Sequence, residues 1–233
     1  MMGEYAVSKS LLIVEGKTDK LFIEQLIKNA NETINTNDLV VDIPICNIDG
    51  CECLNGLDNL KAKLKEVSIR IDKEGISKIG ILVDADNDGK DAKLNIINDA
   101  IKSIDPAVTI NAENTWFTSE KLDIQLSCYV LNVNGYGELE DILRLIKAQP
   151  SPFADCLEAW RYCLQTKHNQ IVSDKDFKKR WFYYYSRYDC CDKKETGSAE
   201  KNCSPESTLQ KDHAWDFNHE QLSQLKTYLS SFN

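Results

Sequence analysis

Three short apolar runs, each followed by a stretch with helical spacing, constrain this chain more than any other feature. The first, LLIVEG (residues 11–16), is β-rich and closes on Gly16. TDKLFIEQLIKNA follows, with Leu21, Phe22, Gln25, Leu26 and Ile27 at helical spacing and Thr18 or Asp19 available as a cap. The second run is LVVDIPICNID (39–49), and the amphipathic LDNLKAKLKEVSIRI comes after it. The third and most apolar is KIGILVDAD (78–86), followed by DGKDAKLNIINDAIKSI. Its periodicity places Ile96, Ile97, Ala100, Ile101 and Ile104 on an inner face, and Asp105-Pro106 ends the helix. Strands apolar along their whole length are buried on both sides. Alternation with helices therefore predicts an α/β fold: a mainly parallel sheet flanked by helices. TWFTS and LDIQLSCYVLNV add one or two strands, and GELEDILRLIKA opens a short helix after the turn NGYG.

Beyond Pro150 the texture changes. FADCLEAWRYCLQ and DKDFKKRWFYYYSRY read as helices rich in aromatic residues, and residues 190–208 are polar enough to read as a flexible loop. WDFNHEQLSQLKTYLSSF reads as a closing amphipathic helix, capped by Asp216 or Asn218, with Leu222, Leu225 and Leu229 on one stripe. The expected division is an α/β core over 8–148 and a small helical C-terminal extension over 149–233.

No stretch is long and apolar enough for a membrane span, and MMGEYAVSKS has no secretory pattern, so a cytoplasmic protein without a membrane role is expected. The net charge of −9 argues against a basic surface that coats nucleic acid non-specifically, but leaves room for a local groove. The cysteine count, nine, is odd, and no CxxC pair occurs; the expectation is idle thiols in place of a disulfide framework or a zinc site. His168, His213 and His219 have no partner at metal spacing.

Ligands bind open parallel sheets outside the carboxyl ends of the strands. Here the first strand ends at Glu15, with Asp19 four residues on, and the third ends at Asp84, with Asp86 and Asp88 at alternate positions. Carboxylates this close repel one another unless a cation lies between them. Hard oxygen donors suit Mg²⁺ or Mn²⁺, one ion or two. DADNDG also brushes the calcium-loop pattern, but a strand precedes it and its twelfth position is Asn95 in place of Glu, so that reading fails. The bland reading of the acids is loop and cap residues, and for Asp88, at the start of the third helix, the two readings stay level.

LLIVEGKTD followed, two strand–helix units later, by GILVDADNDG resembles the Toprim domain over roughly residues 8–145. That fold is shared by topoisomerases, bacterial primases, ribonuclease M5 maturases and the overcoming-lysogenization-defect nucleases. The EGKxD form is most similar to the last two branches. GELED and the closing Trp-Asp-Phe helix look like a small stand-alone family known only as a domain of unknown function, the DUF3226 type. The resemblance implies metal-dependent phosphodiester chemistry, with Glu15 handling protons and Asp84 and Asp86 holding metal. Asp19 would help a second ion, and Glu138 or Glu140 would supply a further acid. Glu138 could equally favour a helix dipole. A topoisomerase's gate domain is not expected within these residues, and no stretch reads as a primase's template module. There is no GxxxxGK[ST] either, so an ATPase or defence-system subunit would be a separate chain.

Residues 174–188 set cations among aromatics, which suits single-stranded nucleic acid, DNA or RNA. Lys17, Lys179, Arg180, Trp181 and Arg187 are the candidates for nucleic-acid binding, and Lys175 or Lys178 for stabilising a developing charge beside the metals. The competing reading makes Phe177, Trp181 and Tyr184 or Tyr185 the core stripe of a packing helix. The expectation is therefore a metal-dependent nuclease. The alternatives are a module that binds nucleic acid or a partner without turnover, and a small-substrate phosphohydrolase. Self-association stays open.

Overall fold

The computed structural model describes residues 9–30, 38–43, 59–191 and 203–233. The second half of the second strand candidate, Cys46, Cys51 and Cys53, and most of the expected loop at 190–208 lie outside them. Five strands form one sheet: β1 (Lys9–Val14), β2 (Leu39–Asp42), β3 (Ile76–Asp84), β4 (Phe117–Ser119) and β5 (Ile124–Leu131), in the order β2-β1-β3-β5-β4. All pairings are parallel except β4 with β5. The α/β reading with a mainly parallel sheet and flanking helices holds.

The order of the strands sets the layers. From β1 the chain steps to β2 on one side through α1 (Lys17–Asn29), then back past β1 to β3 through α2 (Leu60–Glu74). Right-handed crossovers in opposite directions put α1 and α2 on opposite faces. The pleat follows suit. Leu11, Ile13, Ile79, Ile81, Val83, Leu126, Cys128 and Val130 alternate onto one face and form a single buried cluster with Leu64, Val67 and Ile71 of α2. Ile97 and Ile101 of α3 (Lys90–Ile101) join it, whereas Ile96, expected inside, is 39% exposed. Gly75 ends α2 in the left-handed region, the usual stop for a helix turning directly into a strand.

The chain divides into two compact units: residues up to Glu138 together with Ser223–Asn233, and Leu139–Leu222. The sequence places the boundary near 148 and gives the closing helix to the extension. The last helix lies in the first unit, against the sheet, and Gly80 is the reason. A Cβ at Gly80 would lie 2.3 Å from Cζ of Phe232 and 2.6 Å from the Tyr228 hydroxyl. The bare backbone of β3 thus makes the groove this helix fills. Tyr228 stacks on Tyr129 at 5.4 Å, and the Trp116 indole donates to Ser231 Oγ at 3.0 Å.

The second unit is built from α4 (Leu139–Leu145), α5 (Pro152–Asp155), α6 (Leu157–His168), α7 (Asp174–Tyr184), continued by a wide turn at Tyr185–Asp189, and α8 (Pro205–Leu209). The last of these corrects the expected loop: Ser204 caps it, accepting from the Ser207 N–H at 3.2 Å, and Pro205 occupies its first turn. Cys191 and Cys203 form a disulfide with Cα atoms 5.4 Å apart, against the expectation of idle thiols. The closing segment is a 3₁₀ turn at Glu220–Leu222 and then α9 (Ser223–Ser230). Among the described residues no helix is long and apolar enough to cross a membrane.

Candidate carboxylate site

The site follows from the strand order. The chain leaves β1 for α1 on one face and leaves β3 for α3 on the other, so a crevice opens where these adjacent strands end. In register Val14 faces Leu82, which sets Glu15 beside the last residues of β3. Glu15 Oε1 accepts from the Asp84 backbone N–H at 3.2 Å. Asp84 still pairs with Leu131 of β5, and the Ala85 N–H reaches the Leu131 carbonyl at 2.8 Å. The chain then turns. Asp86 has φ +49°, a left-handed conformation that Asp tolerates better than most residues. Its backbone exchanges two hydrogen bonds with Gly137, each 2.8 Å. That bridge fixes the second Asp of the DxD against the loop after β5 and carries buried Glu138 next to it in sequence. Gly89, at φ +83°, opens α3; a Cβ there would come within 3.0 Å of the Tyr136 ring.

Asp19 is buried in the first turn of α1 and Lys17 is exposed at its start. A Cβ on Gly16 would stand 3.3 Å from Asp19 Oδ2, so the glycine gives this carboxylate its room. Asp88 is an outer group, its side chain 68% exposed.

Lys93 lies against the carboxylates and is absent from the candidates read from sequence. Its side chain is 5% exposed, and its ammonium stands 2.5 Å from Asp86 Oδ2 and 4.0 Å from Asp88 Oδ2. A signal exists in the sequence: positions 93, 97, 100 and 104 share one helical stripe, and a lysine on an apolar stripe must find a carboxylate. Asp42, at the end of β2, shows a similar pattern; buried Lys63 of α2 reaches it at 2.8 Å and Glu66 at 3.0 Å.

The donors at the ends of β1 and β3 are all carboxylate oxygens, which in chemistry fit Mg²⁺ or Mn²⁺. As the side chains stand, no three His, Cys, Asp or Glu groups among the described residues draw together closely enough to hold an ion. Lys93 supplies a positive charge in its place. Asp86 would have to exchange that ammonium for an ion.

The remaining candidates lie in the helical unit. Glu140 is half-buried in α4. Lys178 is half-buried and bonded to Asp141 at 2.6 Å, and Lys175 is exposed near the start of α7. Lys179 and Arg180 are exposed, with the Arg180 guanidinium 5.5 Å from the Trp160 ring centre, and Arg187 is half-buried in the wide turn. Trp181 is corrected from a base-stacking residue to a core residue. It is fully buried, its ring lies 5.1 Å from Tyr185, and its indole N–H donates to Asp155 at 3.2 Å. The accessible aromatics are others. Phe153, Trp160 and Tyr184 line an apolar cavity of about 560 Å³ with Pro152, Cys156 and Leu157. Burial pushes the Cys128 thiol up to about 12 and the Cys190 thiol up to about 11, so neither is a ready nucleophile.

Residues 9–233 match the family described as "Protein of unknown function (DUF3226)". Searches of the curated proteins and of the solved structures returned no significant match.

Proposed function

We propose that this chain, which belongs to the DUF3226 family, is a Mg²⁺- or Mn²⁺-dependent phosphodiester-cleaving enzyme of the Toprim type, akin to the overcoming-lysogenization-defect and ribonuclease M5 nucleases. The observation that carries this reading is the meeting of Glu15 and Asp84, 69 positions apart in sequence, at the crevice between β1 and β3. The bond satisfies a backbone N–H of β3 and at the same time holds a glutamate beside the DxD. Asp84 and Asp86 are the residues that would hold the ion, Glu15 the proton-handling group, and Asp19 and Asp88 auxiliary acids. A divalent cation bound there would polarise the phosphoryl oxygens and offset the charge of an in-line displacement. The protein's own part is to fix Glu15 against the strand end and to pin Asp86 through Gly137.

The test is cleavage of plasmid, single-stranded DNA and structured RNA with Mg²⁺, Mn²⁺ or EDTA. Cutting should require the metal, and Glu15→Gln and Asp86→Asn should each lower it by about 100-fold or more. Equal cutting in EDTA, or by both variants, overturns the reading. One observation favours a second reading, a binding module without turnover: Lys93 already balances Asp86. Absence of Mn²⁺ binding in calorimetry would support that alternative.

A further inference from the structure

We propose that Lys93 is a resident counter-cation that competes with the divalent ion for Asp86; the idea rests on the metal-dependent reading of the same site. The ammonium is 2.5 Å from Asp86 Oδ2, and nearly all of the side chain is out of water. An ammonium so desolvated is held by its carboxylate partners, here Asp86 with Asp88 as a more distant second. A divalent ion and an ammonium cannot share one carboxylate oxygen at contact distance without strong repulsion. Metal entry at Asp86 Oδ2 therefore means that Lys93 withdraws, and entry at Oδ1 sets two cations on one carboxyl group, where they still repel. Asp88, at 4.0 Å and exposed, is the carboxylate that can receive Lys93, so its auxiliary part is to hold the displaced ammonium. Lys93 then serves two ends: it keeps the DxD turn together before metal arrives, and it sets how much free ion the site needs.

Lys63 is the internal control. It is equally buried and salt-bridged to Asp42 and Glu66, but it serves a different strand end. A purely structural role for Lys93 would make the two lysines behave alike.

The experiment is Mn²⁺ titration by calorimetry, with thermal unfolding in EDTA and in saturating Mn²⁺, on the full chain and on Lys93→Met, Lys93→Arg and Lys63→Met. Asp86 keeps 29% of its side-chain exposure, so water can solvate it when Lys93 is gone; Lys93→Gln carries the same test should the Met variant not fold. The expected result is Mn²⁺ binding about 10-fold or more tighter in Lys93→Met, near wild type in Lys93→Arg, and unchanged in Lys63→Met. Lys93→Met should also unfold at a lower temperature in EDTA, with the gap closing in Mn²⁺. Wild-type binding with equal or weaker binding by Lys93→Met overturns the proposal and leaves the metal-dependent reading standing. The Arg variant binding as tightly as the Met variant also overturns it. No Mn²⁺ binding by any of the proteins overturns both.

Discussion

Asp105 has a part in the fold that its local sequence does not show. Before Pro106 it reads as the stop of a helix, but α3 ends earlier, at Ile101. Asp105 is instead a buried acceptor, taking hydrogen bonds from the Ser119 hydroxyl at 2.6 Å and from the Ala107 N–H at 3.0 Å. These bonds, Ser119's above all, hold its carboxyl below the ordinary 3.8. A carboxyl depressed on folding stabilises the protein above its unfolded value, and that contribution is lost as pH falls through the lower folded value. Asp105→Asn should therefore cost about 1–3 kcal/mol at neutral pH, and the difference from wild type should shrink below about pH 4. Denaturant unfolding at pH 7 and pH 3 checks both. Lys93 teaches the converse. The acids of DADNDG call for a balancing charge from outside the chain, although part of that charge lies one helical turn into α3.

At the scale of elements, periodicity located helices well and oriented them less well. Periodicity alone runs the α3 stripe through Ile96, whereas the buried phase runs through Lys93, Ile97, Ala100 and Ile101; a lysine on the inner face disguises the phase. In α7 the same ambiguity had two readings. Packing decided for the core stripe, since Phe177, Trp181 and Tyr185 are all buried. The α9 helix shows what glycine does inside a strand. Gly80 lies within the most apolar run, and its missing Cβ admits Phe232 and Tyr228 onto the sheet. Gly80→Ala should destabilise the protein by about 1–3 kcal/mol through overpacking. Adding Phe232→Leu should recover part of the loss, a coupling that a double-mutant cycle in denaturant would measure.

For the whole molecule, the disulfide adds a constraint that composition argued against. Cys191 and Cys203 are separated by 12 positions, a loop whose closure is worth about 2–3 kcal/mol in the chain-entropy account. Cys203→Ser, or reductant on the wild type, should lower stability by that amount, as measured by urea unfolding with and without reductant. Cys128, buried and raised to about 12, should resist alkylation in the folded protein in both conditions. The acidic balance of −9 belongs to this scale too. On the proposed reading, an acidic balance of this size requires any contact with a nucleic acid to be local.

The sequence by itself determined the sheet and its direction, because continuous apolar runs joined by amphipathic helices leave few other folds. It determined the Glu15 and DxD positions as well, since strand ends are where an open parallel sheet exposes its residues. Tertiary structure decided the rest. Which carboxylate meets which backbone group depends on β1 lying beside β3. Lys93 matters because helix α3 folds back on its own loop. The last helix belongs with the sheet because one missing Cβ leaves it a place to pack. Each of these depends on distances between residues far apart along the chain or around a turn, and periodicity within a segment carries no information about them.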